Sequence, residues 1–381
     1  MTRIYADFNA TTPVGPAAQA AIRLAIETWG NPSSSHGDGR QANEIIEQNR
    51  ILVARAAQVD PMEIVFTSGG SEANTLALLG SYFNEKSQLR VLTSTVEHSS
   101  IRDTALFLEK QGVPVDFIPV QRNGLFDLES FAKQLTEFRP TLVSIMATNN
   151  ETGVIFPLRE VYDICKQKNI TVHTDAVQVF GKLDPSTWNF CDLISVTGHK
   201  LSAPKGIGAL IIRKGTPLVA THFGGAQEIK RRGGTENVLG ILGFGGACAD
   251  LPTQECLLKI RSLRDLFEKT LLENLEGVYL NGADVPRIAN TSSIRFEGIP
   301  AEVLLGALDL DGISVSAGSA CSSGSISPSH VLLAMGLSKQ EAKEGLRFSW
   351  GKLTTEEHID TVSRLVISHV QRIRSRKRKP L

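Results

Sequence analysis

Two apolar, β-branched runs, Ile170 to His173 and Leu193 to Val196, each give way to polar residues: Thr174, Asp175 and Gln178 after the first, Thr197, Gly198, His199 and Lys200 after the second. Runs that are apolar on both faces mark strands of a buried parallel sheet, and such sheets carry their chemistry beyond the carboxyl ends of the strands. Asp175 and Lys200 therefore belong at one rim. A carboxylate and an amine delivered to one pocket suit pyridoxal phosphate. The amine forms a Schiff base with the aldehyde, and the carboxylate keeps the pyridine nitrogen protonated, which makes the ring an electron sink. Either residue alone reads as an ordinary loop residue. The neighbourhood favours the cofactor: Gln178, Thr197 and His199 lie close in sequence, and a glycine-rich turn far upstream can hold a phosphate.

That turn is Ser68-Gly69-Gly70-Ser71-Glu72, between the strand pattern Ile64 to Thr67 and a helix through Asn74 to Phe83. The first N–H groups of a helix are unpaired and sit at the positive end of its dipole, so the turn can cradle a phosphate, with Ser71 adding a hydroxyl. Glycine pairs also serve plain loops, and the turn alone decides nothing. His98 follows the strand Arg90 to Thr93 and precedes a helix from Ile101 to Gln111, a placement that suits lying over a planar ring and equally suits capping. Asn150 follows the strand Leu142 to Ala147 and could donate to an anionic phenolic oxygen. The basic, glycine-rich loop around Arg231 to Asn237, with Thr235 in it, is of a kind that binds anions. Cys321 stands in the small, polar run Ser316 to Ser325, which offers a thiol no core, so exposure on a mobile loop is expected. Exposed free cysteines are usually avoided, which argues against an incidental thiol. Arg347, in the strand Gly345 to Ser349, could clamp a carboxylate with two parallel hydrogen bonds.

The elements that must position these groups follow from pattern. Helices are expected at Pro16 to Trp29, at about Gln41 to Gln58, at Ala301 to Leu310, near Ser329 to Met335 and at Thr355 to Ile373. A long helical tract is expected from Thr235 to Leu275. Pro114 to Pro119 continues the large sheet, Gly206 to Ile212 closes it, and Ile288 to Phe296 and Gly312 to Val315 read as strands of a second unit. With 381 residues, two domains are the default. Lys and Arg number 40 against 40 Asp and Glu, which argues against a general binder of nucleic acid or membrane surfaces. The basic tail Arg372 to Lys379 reads as a solvated, frayed terminus. No apolar run approaches the roughly 20 residues of a membrane span, and the opening MTRIYADFNATTP lacks targeting character, so a soluble, cytoplasmic protein is expected. Cys165, Cys191, Cys248 and Cys256 sit in apolar or helical contexts as core thiols, and no disulfide or structural zinc spacing is present.

The motifs YADFNATTP, GNPSSSH, FTSGGSEAN, EHSS, NNETGV, HTDAVQ, TGHKLSAPKGIGAL, RRGGTENV, SAGSACSSGS, PSHVLLAMG and RFSWGKLTTEEHID follow one another over nearly the whole chain. In this order they resemble the pyridoxal-phosphate-dependent cysteine desulfurases of the NifS/IscS type, in the class V aminotransferase family. The resemblance implies an α/β fold, the type I fold of pyridoxal-phosphate-dependent transferases. It implies residues 1–12 as a segment packing with the small domain, 13–255 as a large domain with a mainly parallel seven-stranded sheet, and 256–381 as a smaller α/β domain carrying the cysteine loop. It implies that Lys200 holds the cofactor and His98 stacks on its ring. Asp175 pairs with the ring nitrogen, Gln178 and Asn150 bond the phenolic oxygen, and Ser71, Thr197, His199 and the backbone at Gly70 bond the phosphate. Thr235 reaches the phosphate of the other subunit of a homodimer. Arg347, with Asn150, holds the substrate carboxylate. By the same resemblance Cys321 would be the nucleophile that takes sulfur from L-cysteine as a persulfide, leaves L-alanine, and passes the sulfur to an iron-sulfur scaffold or a thiolation enzyme. No intrinsic metal is implied, although Cys321 could transiently share a cluster with a scaffold partner. The chain departs from the pattern at Phe8, Thr197, Trp350 and Lys352. The rival reading is selenocysteine lyase or another enzyme of the same family that uses Lys200 but not Cys321.

Overall fold

The structure is a computed structural model that describes residues 3–318 and 327–377; Cys321 and the last residues of the basic tail lie outside them. The strands are Ile4–Tyr5 (β1), Ile64–Thr67 (β2), Val91–Ser94 (β3), Val115–Ile118 (β4), Leu142–Ser144 (β5), Thr171–Asp175 (β6), Leu193–Thr197 (β7), Gly208–Ile212 (β8), Val278–Leu280 (β9), Thr291–Phe296 (β10), Ile313–Ser314 (β11), Ser316–Ala317 (β12) and Gly345–Ser349 (β13). Seven of them form one sheet in the order β2-β8-β7-β6-β5-β3-β4, in which β8 is antiparallel to both neighbours and the remaining pairs are parallel. The apolar runs explain the centre. Every residue of β5, β7 and β8 is buried, as a strand covered by helices on both faces requires.

Gly208–Ile212 does not close the sheet as its pattern suggests. It lies second from the edge, and β2 takes the outside position by pairing with it. An apolar run says that a strand is covered, not where it ranks. The long helical tract expected from Thr235 is also two helices, Val238–Cys248 and Gln254–Asn274. Pro252 interrupts between them, and the Thr253 hydroxyl restarts the second by accepting from the Cys256 N–H at 3.2 Å. The first packs closely against the helices Pro16–Ile26 and Gly37–Ala57 because it is rich in glycine. A Cβ at Gly245 would stand 2.1 Å from Asn49 Oδ1, and one at Gly246 2.8 Å from the Ala17 carbonyl oxygen.

A second core gathers Ala6 from the chain start with Phe267, Phe296, Leu304, Phe348, Trp350 and Val366 around the sheet β12-β13-β10-β9. The last helix, Glu356–Lys377, runs well past Ile373, so the first half of the basic tail is ordered rather than frayed. Arg374 explains this: its guanidinium donates to the carbonyls of Glu276 at 2.5 Å, Gly277 at 3.1 Å and Glu297 at 3.0 Å.

One buried ion pair fixes the basic glycine-rich loop to the sheet. Glu228 accepts from Arg50 at 2.8 and 3.0 Å and from the Phe66 N–H at 2.8 Å, while Arg50 also donates to the Ile64 carbonyl at 2.9 Å. The pair holds three consecutive left-handed residues, Glu228, Ile229 and Lys230 (φ 46°, 57° and 61°). Breaking a buried pair from one side strands the other charge. Arg50→Met is therefore expected to cost about 3–5 kcal/mol in urea unfolding, with part of the loss recovered by adding Glu228→Gln. A single variant within experimental error of the parent would show that the pair does not hold the loop.

Candidate active site

The β6–β7 register sets Asp175 opposite Ser195, so the two strands end at one rim. Asp175 is the last residue of β6, and Lys200 follows β7 after Gly198 and His199. Both open into a cavity of about 700 Å³ that is also lined by Gly70, Ser71, His98, Asn150, Gln178, Thr197, His199 and Arg347. The structure thus brings together ten of the residues singled out in the sequence. Thr235 is not among them; it lines a neighbouring pocket with Ser68 and Arg232. Cys321 lies outside the described residues, but Ser316, Gly318 and His330, on either side of that segment, line the large cavity.

The Lys200 ammonium donates to the carbonyls of Asn9 and, at 2.8 Å, of Ala10. Burial pushes its pKa down to about 8, and Arg347 adds to this against the opposing pull of Asp7 and Asp175. His199 is pushed down to about 4 by burial, with Lys200 and Lys205 adding, and it is a neutral imidazole at pH 7. Asp175 accepts from Asn74 Nδ2 at 2.7 Å and from the Val177 N–H at 3.0 Å. Asn74 Nδ2 also donates to Ser100 Oγ at 2.8 Å, which lies 2.8 Å from His98 Nδ1. The Ser100 N–H donates to the same ring nitrogen, so the proton of a neutral His98 sits on Nε2. Asp175 and His98 are therefore two ends of one network. Asn74 and Ser100 went unread in the sequence, although an Asn inside the Ala- and Leu-rich helix Gly70–Glu85 is itself a signal, because a buried amide needs partners.

The glycine turn leads into Gly70–Glu85, where Gly69 offers no side-chain cap to the first turn. A Cβ on Gly70 would stand 2.7 Å from Val177 Cγ2, and one on Gly208 2.7 Å from the Gly69 carbonyl carbon, so these glycines let the helix start approach the rim. Arg347 donates to the Asn150 carbonyl at 3.0 Å and to Asp7 at 2.8 Å, and its buried Nε has no partner among the described residues. Asn149 turns inward to cap Glu151 and Thr152, which leaves Asn150 to face the cavity. Asn9, read only as part of a turn-rich opening, is a hub. Its carbonyl also accepts from Gln178 Nε2 at 3.2 Å, and its amide reaches Thr291, Asn150 and Asn290. Glu97, adjoining His98, is fully buried. One carboxyl oxygen accepts from Ser94 Oγ at 2.6 Å and the Met146 N–H at 3.0 Å, and the other has no partner among the described residues. Burial, with Asp175 adding to it, pushes the Glu97 carboxyl up to about 8.

The Aminotransferase class-V family model matches residues 4–362. The chain is 38% identical to "Cysteine desulfurase IscS" of Dictyoglomus turgidum over 98% of this chain and 95% of that one. It is 41% identical to "Cysteine desulfurase" of Sinorhizobium fredii over 98% of both. Among solved structures it resembles a "NIFS-LIKE PROTEIN" with a TM-score of 0.89 and 34% identity, over 97% of this chain and 100% of that one.

Two outcomes follow from the charges. Competitive acylation of the protein without added cofactor, read by peptide mass, should give Lys200 a reactivity midpoint near pH 8; a midpoint at the ordinary lysine value would show that the pocket does not desolvate it. Glu97 binds its proton more tightly folded than unfolded, so between the ordinary carboxyl value and about pH 8 its contribution to stability is lost as pH rises. Lys200 acts with the opposite sign at higher pH, so the difference between variant and parent isolates Glu97. In urea unfolding, Glu97→Gln should gain on the parent between pH 5 and pH 8, and a constant difference would refute the raised carboxyl.

Proposed function

Because the chain belongs to the class V aminotransferase family and, within it, to the cysteine desulfurases, we propose that it converts L-cysteine to L-alanine with pyridoxal phosphate and carries the sulfur away on Cys321. The observation that carries this reading is the convergence of Lys200, Asp175, His98 and Arg347 on one cavity whose wall includes Gly318 and His330, the near flanks of the segment bearing Cys321.

The residues present fit the cofactor. An amine with a lowered pKa, a carboxylate at the rim, a helix start with no side-chain cap and a buried Arg347 Nε with no partner among the described residues are the groups an aldehyde, a pyridine nitrogen, a phosphate and a carboxylated substrate require. Lys200 would hold the aldehyde, Asp175 the ring nitrogen and His98 the ring face. Gln178 and Asn150 would hold the phenolic oxygen, and Ser71, Thr197, His199 and the Gly70 backbone the phosphate. When bound, the cofactor supplies an electron sink for negative charge at the substrate Cα. Lys200 then moves the Cα proton, for which a pKa near 8 keeps a useful fraction of neutral amine at pH 7. Arg347 fixes the substrate carboxylate, and its ion pair with Asp7 keeps the guanidinium plane in place.

The Cys321 thiolate attacks the substrate sulfur. The new S–S bond forms as the C–S bond breaks with its electron pair left on carbon, which a proton then quenches. Sulfur leaves as a Cys321 persulfide bound for an iron-sulfur scaffold or another acceptor. We take the working form as a cytoplasmic homodimer in which Thr235 serves the partner's phosphate, and the chain as three parts, residues 1–12, 13–255 and 256–381. Among the described residues no helix is long and apolar enough to cross a membrane.

Reconstituted Cys321→Ser given cysteine and a thiol reductant should lose roughly 100-fold or more of its sulfide output, the scale of removing a covalent nucleophile, while keeping the visible absorbance of the cofactor. Lys200→Ala should lose both. A Cys321→Ser protein that desulfurates at the parental rate would overturn the assignment.

A further inference from the structure

Beside the large cavity lies a smaller, mainly apolar one of about 160 Å³, lined by Phe8, Trp350, Lys200 and a second lysine, Lys182. Lys182 does not line the large cavity. After β6 the chain turns through Ala176 to Leu183, with Phe180 N–H donating to the Ala176 carbonyl and Leu183 N–H to that of Val179. This sets Gln178 and Lys182 one helical turn apart. Gly181 between them is left-handed (φ 71°), and a Cβ there would stand 2.2 Å from Leu201 Cδ1, so the turn is built for this placement. Lys182 Nζ donates to Gln178 Oε1 at 3.2 Å. The other charges acting on it, Lys200 and Arg347, are both cations, and together with burial, the largest cause, they push its pKa down to about 7.

A glutamine amide has two nearly isosteric ends, and only its partners decide which way it points. Here the carbonyl end meets the Lys182 ammonium, and the amino end meets the Asn9 carbonyl at 3.2 Å. Reversing the amide would set donor against donor and acceptor against acceptor. The second amino hydrogen is left for the cavity that Gln178 lines.

We propose that Lys182 is a positioning residue that locks the Gln178 amide with its NH₂ toward the cavity, so that a donor meets the phenolic oxygen of bound pyridoxal phosphate. This rests on the cofactor reading above. Without Lys182 the phenolic oxygen loses a fixed donor and holds its proton more tightly. The other groups around Lys200 are Arg347, which opposes its protonation, Asp7 and Asp175, which favour it, and His199, neutral at pH 7.

The test is a pH titration of the visible absorbance of the full-length protein reconstituted with pyridoxal phosphate, with cofactor affinity read from recovery of the same band. In Lys182→Met the titration midpoint should rise by about one pH unit and the affinity should fall several-fold, while Lys182→Arg returns both to near the parental values. Because a desolvated cation is replaced by an apolar chain, Lys182→Met should melt no lower than the parent, which separates positioning from a structural role. Lys182→Gln supplies a second neutral replacement should Lys182→Met not fold. In a Gln178→Leu background, the same substitution should shift the midpoint by clearly less. An unmoved midpoint and affinity in Lys182→Met, or an equal shift with and without Gln178, would overturn the proposal while leaving the cofactor reading intact. A parent protein that develops no visible band would overturn both.

Discussion

The site depends on the register of β6 against its neighbours, and one buried side chain holds that register. His173, in β6, lies 2.8 Å from Ser144 Oγ of β5 through Nδ1 and 3.0 Å from Ser195 Oγ of β7 through Nε2. Burial pushes its imidazole down to about 3, so it stays neutral and offers one donor and one acceptor across three parallel strands. A slip of one residue would turn the imidazole to the other face and strand two buried hydroxyls, at about 1–3 kcal/mol for each unsatisfied group. The same slip would take Asp175 off the rim. A residue that never meets the cavity thereby determines where the carboxylate stands relative to the amine.

Around that rim the fold concentrates charge that it cannot fully offset. Lys200, Lys182 and Arg347 are basic groups, and Asp7 and Asp175 are the carboxylates that act on Lys200. Burial outweighs both carboxylates, since Lys200 is displaced downward despite them. The protein could have answered this with a closer ion pair, as it does for Arg50 and Glu228 or for Arg287 and Glu268. It gives Lys200 two backbone carbonyls instead. Carbonyls hold an ammonium in place without raising its basicity as a carboxylate would, and they leave the nitrogen free to react once the proton has gone.

The rim was legible in the sequence because it depends on local pattern: apolar runs that stop at polar residues, and a glycine turn before a helix. The partners of those residues were not. Asn74, Asn9 and Lys182 act across long sequence separations or through one helical turn in a segment that showed no periodicity, and nothing in their immediate neighbours marks them. The helices Leu128–Phe138 and Leu158–Lys166 are amphipathic but short, and the apolar strands on either side of them carry the stronger pattern. Sheet rank was lost for a different reason. A run such as Gly208–Ile212 carries the same apolar signal at any covered position, so its place beside β2 follows from pairing, which a linear pattern does not contain.

The short opening segment joins the two cores through the same atoms that hold Lys200. Its strand β1 pairs with β11, and the Asn9 N–H donates to Ser349 Oγ of β13 at 2.8 Å. Asp7 takes Arg347 of the same strand at 2.8 Å. The Asn9 carbonyl meanwhile receives both Lys200 and Gln178. Any group that draws Arg347 toward the cavity therefore pulls on a segment whose backbone is the resting partner of the amine. Because Asn9 also bonds Asn290 and Thr291, that segment cannot yield without moving β10 as well. The position of the Arg347 guanidinium and the protonation of Lys200 are in this way coupled through covalent backbone a few residues long, a stiffer connection than a chain of side chains across the same distance would provide.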